Sequence, residues 1–206
     1  MRFCIGTCTT PNRKWLYEIT NQTKQKYCDK FGIEFVFEEV EDSGSLEELY
    51  WRKVTFMQTI LKNHDFALWM DDDAGFVRYD FDIESCLSDF LYHKTLLVAN
   101  DENGLNSGVY CLNGLRKGRQ LVEWQLANGK PGLFGEQNSL KEWADLNPDE
   151  VQVINGHLFN AHVPDTYCGT PNCYTDDSVI VHIAGGNGRK NSMGISAIRR
   201  LFRSRL

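Results

Sequence analysis

The chain has 206 residues, a length that suits one α/β domain and leaves little room for a second. Hydrophobic residues at 42% and aromatic residues at 12% are enough for a full core, and the formal net charge of −6 argues against general nucleic-acid binding. No stretch reaches the ~20 apolar residues of a membrane span, and no signal peptide is visible. We therefore expect a cytoplasmic protein, or a domain of a longer chain, whose seven cysteines are mostly reduced.

The first predicted strand, residues 2–9, breaks into a turn of small residues. Thr10 is placed to cap a helix that has Pro11 at its first position and ends at Gly32, and a second strand follows over 33–40. Backbone N–H groups are free where a strand turns into a helix, so this edge is a candidate nucleotide-binding site. It has neither a Gly-x-Gly-x-x-Gly sequence nor a Walker lysine, so the local indication is weak.

A capping box at Ser45 to Glu48 begins the next predicted helix, which runs to about residue 61. This helix carries Arg52 and Lys53, either as solvated bases or as cations that meet a phosphate group. The order strand, helix, strand, helix, strand predicts a mostly parallel sheet with helices on both faces. Ligands of such sheets bind at the carboxyl ends of the strands.

Three consecutive carboxylates follow the third strand, a buried apolar run over 66–70. Adjacent Asp side chains repel one another where they lose hydration, so a cation would stabilise them. Alternate residues of an extended chain point the same way, so Asp71 and Asp73 can reach one ion while Asp72 faces elsewhere. Oxygen ligands suit Mg²⁺ or Mn²⁺. The alternative is a solvated, metal-free acidic turn.

The second half of the chain continues the α/β pattern. Asn106, Ser107 and Gly108 lie between two apolar runs and predict either a tight polar bend close to a ligand or an ordinary hairpin turn. The other predicted elements are helices over 83–92, 116–127 and 134–143, strands over 96–99 and 151–154, and a polar-aromatic loop over 156–162.

Two further segments carry candidate functional residues. Glu136 and Gln137 lie on the first turn of a predicted helix, as a functional pair or as favourable N-terminal charge. A late strand over 179–183 delivers His182, a residue that on such a strand is more often a core residue than a ligand. Residues 1–195 are expected to form one domain, and the basic segment 196–206 a last helix, a linker or a weak handle for an anionic membrane surface.

These motifs together resemble glycosyltransferases of the GT-A fold, most closely the Golgi galactosyl-, mannosyl- and xylosyltransferases. The matching motifs occur in the family's order and span nearly the whole chain. They are Trp69-x-Asp71-x-Asp73-Ala74, Asn106-Ser107-Gly108-Val109, Phe134-Gly135-Glu136-Gln137, the segment 155–162 and Val181-His182-Ile183-x-Gly185. Without a visible membrane anchor or stem, the sequence also resembles glycosyltransferase domains that large chlorella viruses encode.

The resemblance implies an α/β fold of the GT-A type and an enzyme that moves a hexose or deoxyhexose from a UDP-sugar to a glycan or glycoprotein hydroxyl. It implies Mn²⁺, or Mg²⁺, held by Asp71, Asp73 and His182, with Asp73 as the principal ligand. The resemblance also implies which residues bind the nucleotide-sugar. Gly6, Thr7 and Thr9 would hold its uracil and ribose, and Arg52 or Lys53, with Lys190, would contact its phosphates. Asp71, Asp72 and Gly185 would complete the nucleotide-sugar site.

The resemblance also implies roles at the reacting sugar. Asn106, Glu136 and Gln137 would face the transferred sugar or the acceptor, and Glu136 or Asp101 would be the base if the reaction inverts configuration. The resembling family retains configuration, which favours retention here. The alternatives that stay open are a non-catalytic nucleotide-sugar binding module and a nucleotidyltransferase similar to sugar-nucleotide pyrophosphorylases.

Overall fold

The computed structural model describes residues 1–41, 45–101, 103–132, 134–163, 173–183 and 195–203. Its strands are β1 (Phe3–Thr9), β2 (Glu34–Glu39), β3 (Phe66–Met70), β4 (Ala74–Phe76), β5 (Leu96–Asp101), β6 (Gly104–Asn113), β7 (Val151–Ile154), β8 (Ala161–His162) and β9 (Ile180–His182). Its helices are α1 (Lys14–Phe31), α2 (Leu46–Ile60), α3 (Ile83–Leu91), α4 (Gly118–Asn128), α5 (Gly135–Leu146), α6 (Gly156–Phe159) and α7 (Ile195–Arg203).

A six-stranded mixed sheet forms the centre of the fold, in the order β2-β1-β3-β6-β5-β7. Three of its five pairings are parallel, and β6 runs antiparallel to both of its neighbours. A second sheet, β4-β9-β8, has three short strands. The predicted α/β architecture with a mostly parallel sheet is confirmed, and the carboxyl ends of β1 and β3 meet at one edge.

Strand β3 is buried on both faces, as its continuous apolar run predicts. Phe66, Leu68 and Met70 pack with α1 and α3 residues in one core cluster, whereas Ala67 and Trp69 pack with residues of α2, α4 and α5 in another. Because both faces are covered, the polar residues that follow Met70 can lie only at the end of the strand, in the gap between the helical layers.

Helix boundaries follow local chemistry. Gly32 ends α1 in the left-handed conformation, with φ 69°, and the Ser45 side chain accepts a hydrogen bond from the N–H of Glu48, as the capping box predicts. Thr10 makes no side-chain cap, however, and Pro11–Arg13 is a 3-10 turn, so α1 begins later than predicted.

Two local predictions are wrong. Asn106, Ser107 and Gly108 are not a turn but lie inside β6, at the point where its register with β5 shifts. Segment 156–162 is not a loop, because it contains α6 and β8. In both places short polar sequences are held in regular structure by long-range pairing that no local pattern reveals.

Helix α7 packs its apolar residues Ile198 and Phe202 against α1 and β9, and it exposes Arg199, Arg200 and Arg203. Its role as a membrane handle stays a prediction. Within the described residues, none of the helices has the length and hydropathy that crossing a bilayer requires.

Candidate functional site

The three aspartates form a tight turn between β3 and β4, at the edge where β1 also ends. Asp72 and Asp73 are each less than a tenth exposed, so the solvated acidic turn is not what forms. One oxygen each from Asp71 and Asp73, together with a ring nitrogen of His182, lie within 4.8 Å of one another. The predicted grouping of Asp71 with Asp73 is present, with Asp72 directed elsewhere. The three residues form a turn, in which the Ala74 N–H donates to the Asp71 carbonyl, and not the extended chain that the prediction assumed.

His182 reaches the cluster through the pairing of β9 with β4, in which it lies opposite Ala74. Its Nε2 lies 3.1 Å from Asp73 Oδ1 and 3.7 Å from Asp71 Oδ2. Its Nδ1 lies 2.9 Å from the side-chain oxygen of Asn160, an acceptor, so Nδ1 carries the proton in this contact. Asn160 thereby fixes the orientation of the ring, so that Nε2 faces the two carboxylates.

Asp72 forms part of a buried anchor on the other side of the turn. Arg13 Nε lies 2.7 Å from Asp72, Arg13 Nη2 lies 3.0 Å from Asp73, and the Thr9 hydroxyl donates a hydrogen bond to Asp72. Sequence analysis missed Arg13, because a single arginine after Pro11 carries no motif. Its contacts arise only because α1 starts beside the end of β3.

Helix α1 also binds the backbone of the turn. The ammonium of Lys24 donates to the carbonyl oxygen of Asp71 at 3.0 Å, and the Thr20 hydroxyl donates to that of Asp72 at 2.6 Å. Lys24 is fully buried, and burial lowers its pKa to about 8 despite the nearby aspartates. Sequence analysis missed Lys24 as well; a lysine within the apolar face of α1 was the signal that could have found it.

Lys53 lies at the third side of the cluster, on α2. Its ammonium contacts Asp71 Oδ1 and Glu136 Oε1, each at 3.1 Å, and donates to the carbonyl oxygen of Ser107 at 3.0 Å. Gln137 accepts the Ser107 N–H at 3.0 Å. The structure thus brings Lys53, Glu136 and Gln137 together beside Asp71, which links α2, α5 and β6 at one point.

Asn106 and Asp101 form a neighbouring pair at the same edge. The Asn106 amide donates to Asp101 at 2.7 Å and its oxygen accepts the N–H of Gly108 at 2.8 Å. Asn106 pairs with Ala99 at the register shift between β5 and β6, and Asp101 pairs with Gly104 at the end of the same strand pair. The carboxylate of Asp101 is therefore held in a fixed orientation near the cluster.

The remaining predicted residues divide between the two faces of β1. Thr7 lies 3.4 Å from the Lys24 ammonium and Thr9 contacts Asp72, so both hydroxyls face α1. Gly6 faces α2, where an added Cβ would lie 2.9 Å from Ile60, so the structure does not bring it to the cluster.

Arg52 is exposed on α2, in a groove of about 600 Å³ lined by Ser45, Glu47, Glu48, Trp51, Arg52 and Thr55. Gly185 and Lys190 lie outside the described residues.

The pKa values of the buried ionisable groups in the site depend strongly on one another. Burial alone would raise the pKa of Asp73, but the charge and hydrogen bond of His182, followed by those of Arg13, hold that pKa well below its usual value. Burial alone would lower the pKa of His182, and Asp73 raises it instead. Burial raises the pKa of Glu136, which Lys53 only partly offsets. Each charge is tolerated because its partner is present.

The donor set fits a divalent metal ion. Two carboxylates and one imidazole nitrogen are ligands that Mn²⁺ accepts, and the second nitrogen of His182 is already occupied by Asn160. Asp73 Oδ1 is buried, and the group nearest to it is His182 Nε2 at 3.1 Å, so the two ligand atoms face the same position. The identity of the metal stays a prediction.

Gly108 leaves the space that His182 occupies, and this gives a test of the site. A Cβ at Gly108 would lie 2.5 Å from His182 Nδ1, so the two atoms would overlap. We expect Gly108→Ala to displace the ring and to weaken Mn²⁺ binding about 10- to 100-fold, as loss of ligand orientation does elsewhere. Mn²⁺ titration followed by electron paramagnetic resonance, without nucleotide, measures this.

Gly6→Ala is the matched control for that experiment. It also introduces a methyl group into a tight space, against Ile60 and Phe56, but it does not touch His182. We expect it to lower the free energy of unfolding by about 1–3 kcal/mol while Mn²⁺ affinity is kept. Equal Mn²⁺ affinities for Gly108→Ala and the wild type would show that His182 is not a ligand.

Comparison with known proteins agrees with this geometry. The model of the galactosyl transferase GMA12/MNN10 family matches residues 3–97, a stretch that begins with β1, contains all three aspartates and ends within β5. No curated protein sequence matches the chain significantly.

Solved structures of similar fold include several glycosyltransferases. A glycosyltransferase involved in the glycosylation of the major capsid of PBCV-1 has a TM-score of 0.77 at 18% identity, over 99% of this chain and 100% of that chain. Galactosyltransferase LgtC, in complex with donor and acceptor sugar analogues, has a TM-score of 0.56 at 13% identity, over 97% and 95%. Mouse xyloside xylosyltransferase 1 has a TM-score of 0.54 at 11% identity, over 88% and 97%. The fold confirms the predicted GT-A architecture, and together with the family match it confirms the predicted class, a glycosyltransferase.

Proposed function

We propose that this chain, whose fold and family match are those of glycosyltransferases, transfers a hexose or deoxyhexose from a UDP-sugar to a glycan hydroxyl in a metal-dependent reaction. The observation that carries the proposal is the Asp71, Asp73 and His182 cluster at the carboxyl end of β3. Mn²⁺ is the proposed metal, with Mg²⁺ as the alternative. A cytoplasmic location stays a prediction from the sequence.

The charge balance of the site supports a diphosphate ligand. Four carboxylates, of Asp71, Asp72, Asp73 and Glu136, meet three cations, of Arg13, Lys24 and Lys53, which leaves one negative charge when His182 is neutral. A divalent ion would change that balance to one positive charge. An anionic diphosphate would then be attracted to the site more strongly than to the metal-free site, which carries no net positive charge.

The residues around the metal ligands suit a sugar-transfer reaction. A bound divalent ion would neutralise the negative charge that develops on the leaving diphosphate. Lys53 lies beside Asp71 and adds a second positive charge on the opposite side of the cluster from Arg13. Glu136 and Gln137, fixed by Lys53 and Ser107, would present oxygen atoms to the positively charged sugar of the transition state.

The same contacts favour retention of configuration. An inverting reaction needs a base that can accept the proton of the acceptor hydroxyl. Glu136 is 3% exposed and bound to both Lys53 and Ser107, so it is poorly placed to be that base. Asp101, which is held by Asn106 and only half-buried, is the remaining candidate if the reaction inverts.

The proposal is tested by titrating UDP into the protein by isothermal calorimetry, with Mn²⁺, with Mg²⁺ and with EDTA. We expect binding in the micromolar range with Mn²⁺ and a loss of at least 10-fold with EDTA, because the metal-free site lacks the two positive charges of the ion. GDP and CDP are the matched ligands that test the choice of base. UDP binding that does not depend on metal would contradict the proposed metal site.

Turnover separates the enzyme from a binding module. UDP-sugars incubated with the protein and Mn²⁺ should be hydrolysed slowly to UDP and free sugar, since water can replace an acceptor. The panel is UDP-galactose, UDP-glucose, UDP-xylose and UDP-rhamnose. Metal-dependent UDP binding without turnover of any donor would favour the non-catalytic alternative.

A further inference from the structure

An aromatic pair, formed by the exposed Phe134 and the half-buried Tyr50, lies next to the candidate site. Phe134 is 49% exposed, and its ring stacks on that of Tyr50, with centroids 5.9 Å apart and an interplanar angle of 21°. Among the described residues, Phe134 is also the only non-glycine residue with positive φ, at 63°. A left-handed backbone is unfavourable for a phenylalanine, and such outliers occur at functional positions.

The loop that presents Phe134 is held in place by close packing. Gly129 and Gly135, on either side of it, approach Trp51 of α2 so closely that an added Cβ would contact the indole. The N–H of Gly135 donates to the carbonyl oxygen of Gly132 at 2.9 Å, and the Phe134 carbonyl accepts the N–H of Asn138. Phe134 is therefore joined to α5 by a hydrogen bond and lies beside residues that pack on Trp51.

Tyr50 and Phe134 lie close in sequence to the buried charged residues of the site. Phe134 precedes Glu136 by two residues, and Tyr50 lies three residues before Lys53 on the same side of α2. After burial itself, the charge of Asp71 is the largest influence that raises the pKa of Tyr50, so its phenol lies within electrostatic reach of the cluster. The surface therefore changes from buried charges to exposed rings over one helical turn.

We propose that Tyr50 and Phe134 form a stacking platform for the acceptor, on which the apolar C–H face of a pyranose ring lies while its hydroxyl points toward Glu136 and Gln137. This inference rests on the proposed function, because it assigns the acceptor side of the same site. Aromatic rings suit the C–H face of a sugar, and they contribute no charge that a phosphate would need.

Exposure indicates the acceptor rather than the donor. The groups proposed to contact the transferred sugar are less accessible, because Glu136 is 3% exposed and Gln137 is partly buried. The acceptor is part of a glycan that enters and leaves through solvent, so its contacts should lie on the solvent side of the transferred sugar. Phe134, with half of its surface accessible, meets that condition.

The experiment uses the full chain with UDP and Mn²⁺ present and methyl glycosides of glucose, galactose, mannose, xylose and rhamnose as probes. Saturation-transfer difference NMR identifies which glycosides bind, and a titration gives the Kd. We expect at least one glycoside to bind through its ring C–H protons. Phe134→Leu should weaken that binding about 5- to 10-fold, and Phe134→Tyr, which keeps the ring, should stay within about twofold of the wild type.

Phe90→Ala is the matched control, because Phe90 is a similarly exposed phenylalanine, at 42%, on α3. It should leave glycoside binding unchanged. The proposal is overturned if no glycoside binds, or if Phe134→Leu binds glycosides as the wild type does. The proposal is also overturned if Phe134→Leu weakens the binding of UDP and not that of the glycosides, since the platform would then hold the nucleobase. Failure of the proposed function gives a different result, because the wild-type protein would then not bind UDP even when the metal is present.

Discussion

Asp73→Asn is expected to abolish metal-dependent UDP binding and to lower donor turnover on the order of 1000-fold, about 4 kcal/mol of transition-state stabilisation. Asp73 contributes an oxygen to the ligand cluster, and it is 7% exposed. An amide of the same shape keeps the packing but removes the negative charge that holds both His182 and Arg13. Calorimetric titration of UDP with Mn²⁺ and steady-state hydrolysis of the UDP-sugar measure the two effects.

Asp80→Asn provides the control for that prediction. Asp80 is exposed and pairs with Arg78 at the surface, so the substitution removes one negative charge without touching the cluster. UDP binding should therefore be unchanged. If Asp73→Asn still bound UDP only in the presence of Mn²⁺, the metal would have to be held without Asp73, and the proposed ligand set would be wrong.

Lys53→Met is expected to lower the free energy of unfolding by about 3–5 kcal/mol. Lys53 is 4% exposed, and its ammonium is shared by Asp71, Glu136 and the carbonyl oxygen of Ser107. Methionine fills a similar volume, but it leaves the buried Glu136 carboxylate without a cation. Urea unfolding at pH 7.5, followed by tryptophan fluorescence, measures the loss.

Two further measurements identify the cause of that loss. Lys53→Met combined with Glu136→Gln should recover part of the stability, because the second substitution removes the unpaired charge. The Lys53→Met protein should also become less destabilised as pH falls toward 4.5. Burial raises the pKa of Glu136, so the folded state binds a proton more readily than the unfolded state does and gains stability at lower pH.

Lys62→Met is the surface counterpart, in the exposed turn after α2, and should change the free energy of unfolding by no more than about 0.5 kcal/mol. A Lys53→Met protein as stable as the wild type would show that water reaches Glu136 and Asp71. The buried charge network would then not be a determinant of the fold.

Local sequence was sufficient for most secondary structure and for one part of the site. The capping box at Ser45, the C-terminal Gly32 and the apolar run 66–70 act through neighbours in the chain, so each was predictable from its own segment. The sequence also grouped Asp71 with Asp73 apart from Asp72, but the period of an extended chain is not the cause, because these residues form a turn. The resemblance to a known family supplied His182, Glu136 and Gln137.

The contacts that complete the site depend on segments distant in sequence. Arg13 lies sixty residues from the carboxylate of Asp73, and Asn160 lies twenty-two residues from His182, so no spacing in the sequence links them. The choice between Arg52 and Lys53 is similar. Both were candidate cations, and only the rotation of α2 against β6 buries Lys53 and exposes Arg52.

The sequence by itself therefore determined the order of the elements and the position of the acidic turn directly after β3, since these follow from propensity and periodicity. The tertiary structure alone decided which cations neutralise those aspartates, why β6 carries a polar segment without turning, and why Gly108 must lack a side chain. The physical reason is that burial makes an unpaired charge or an overlapping atom costly, and burial is decided by every element that packs on the site.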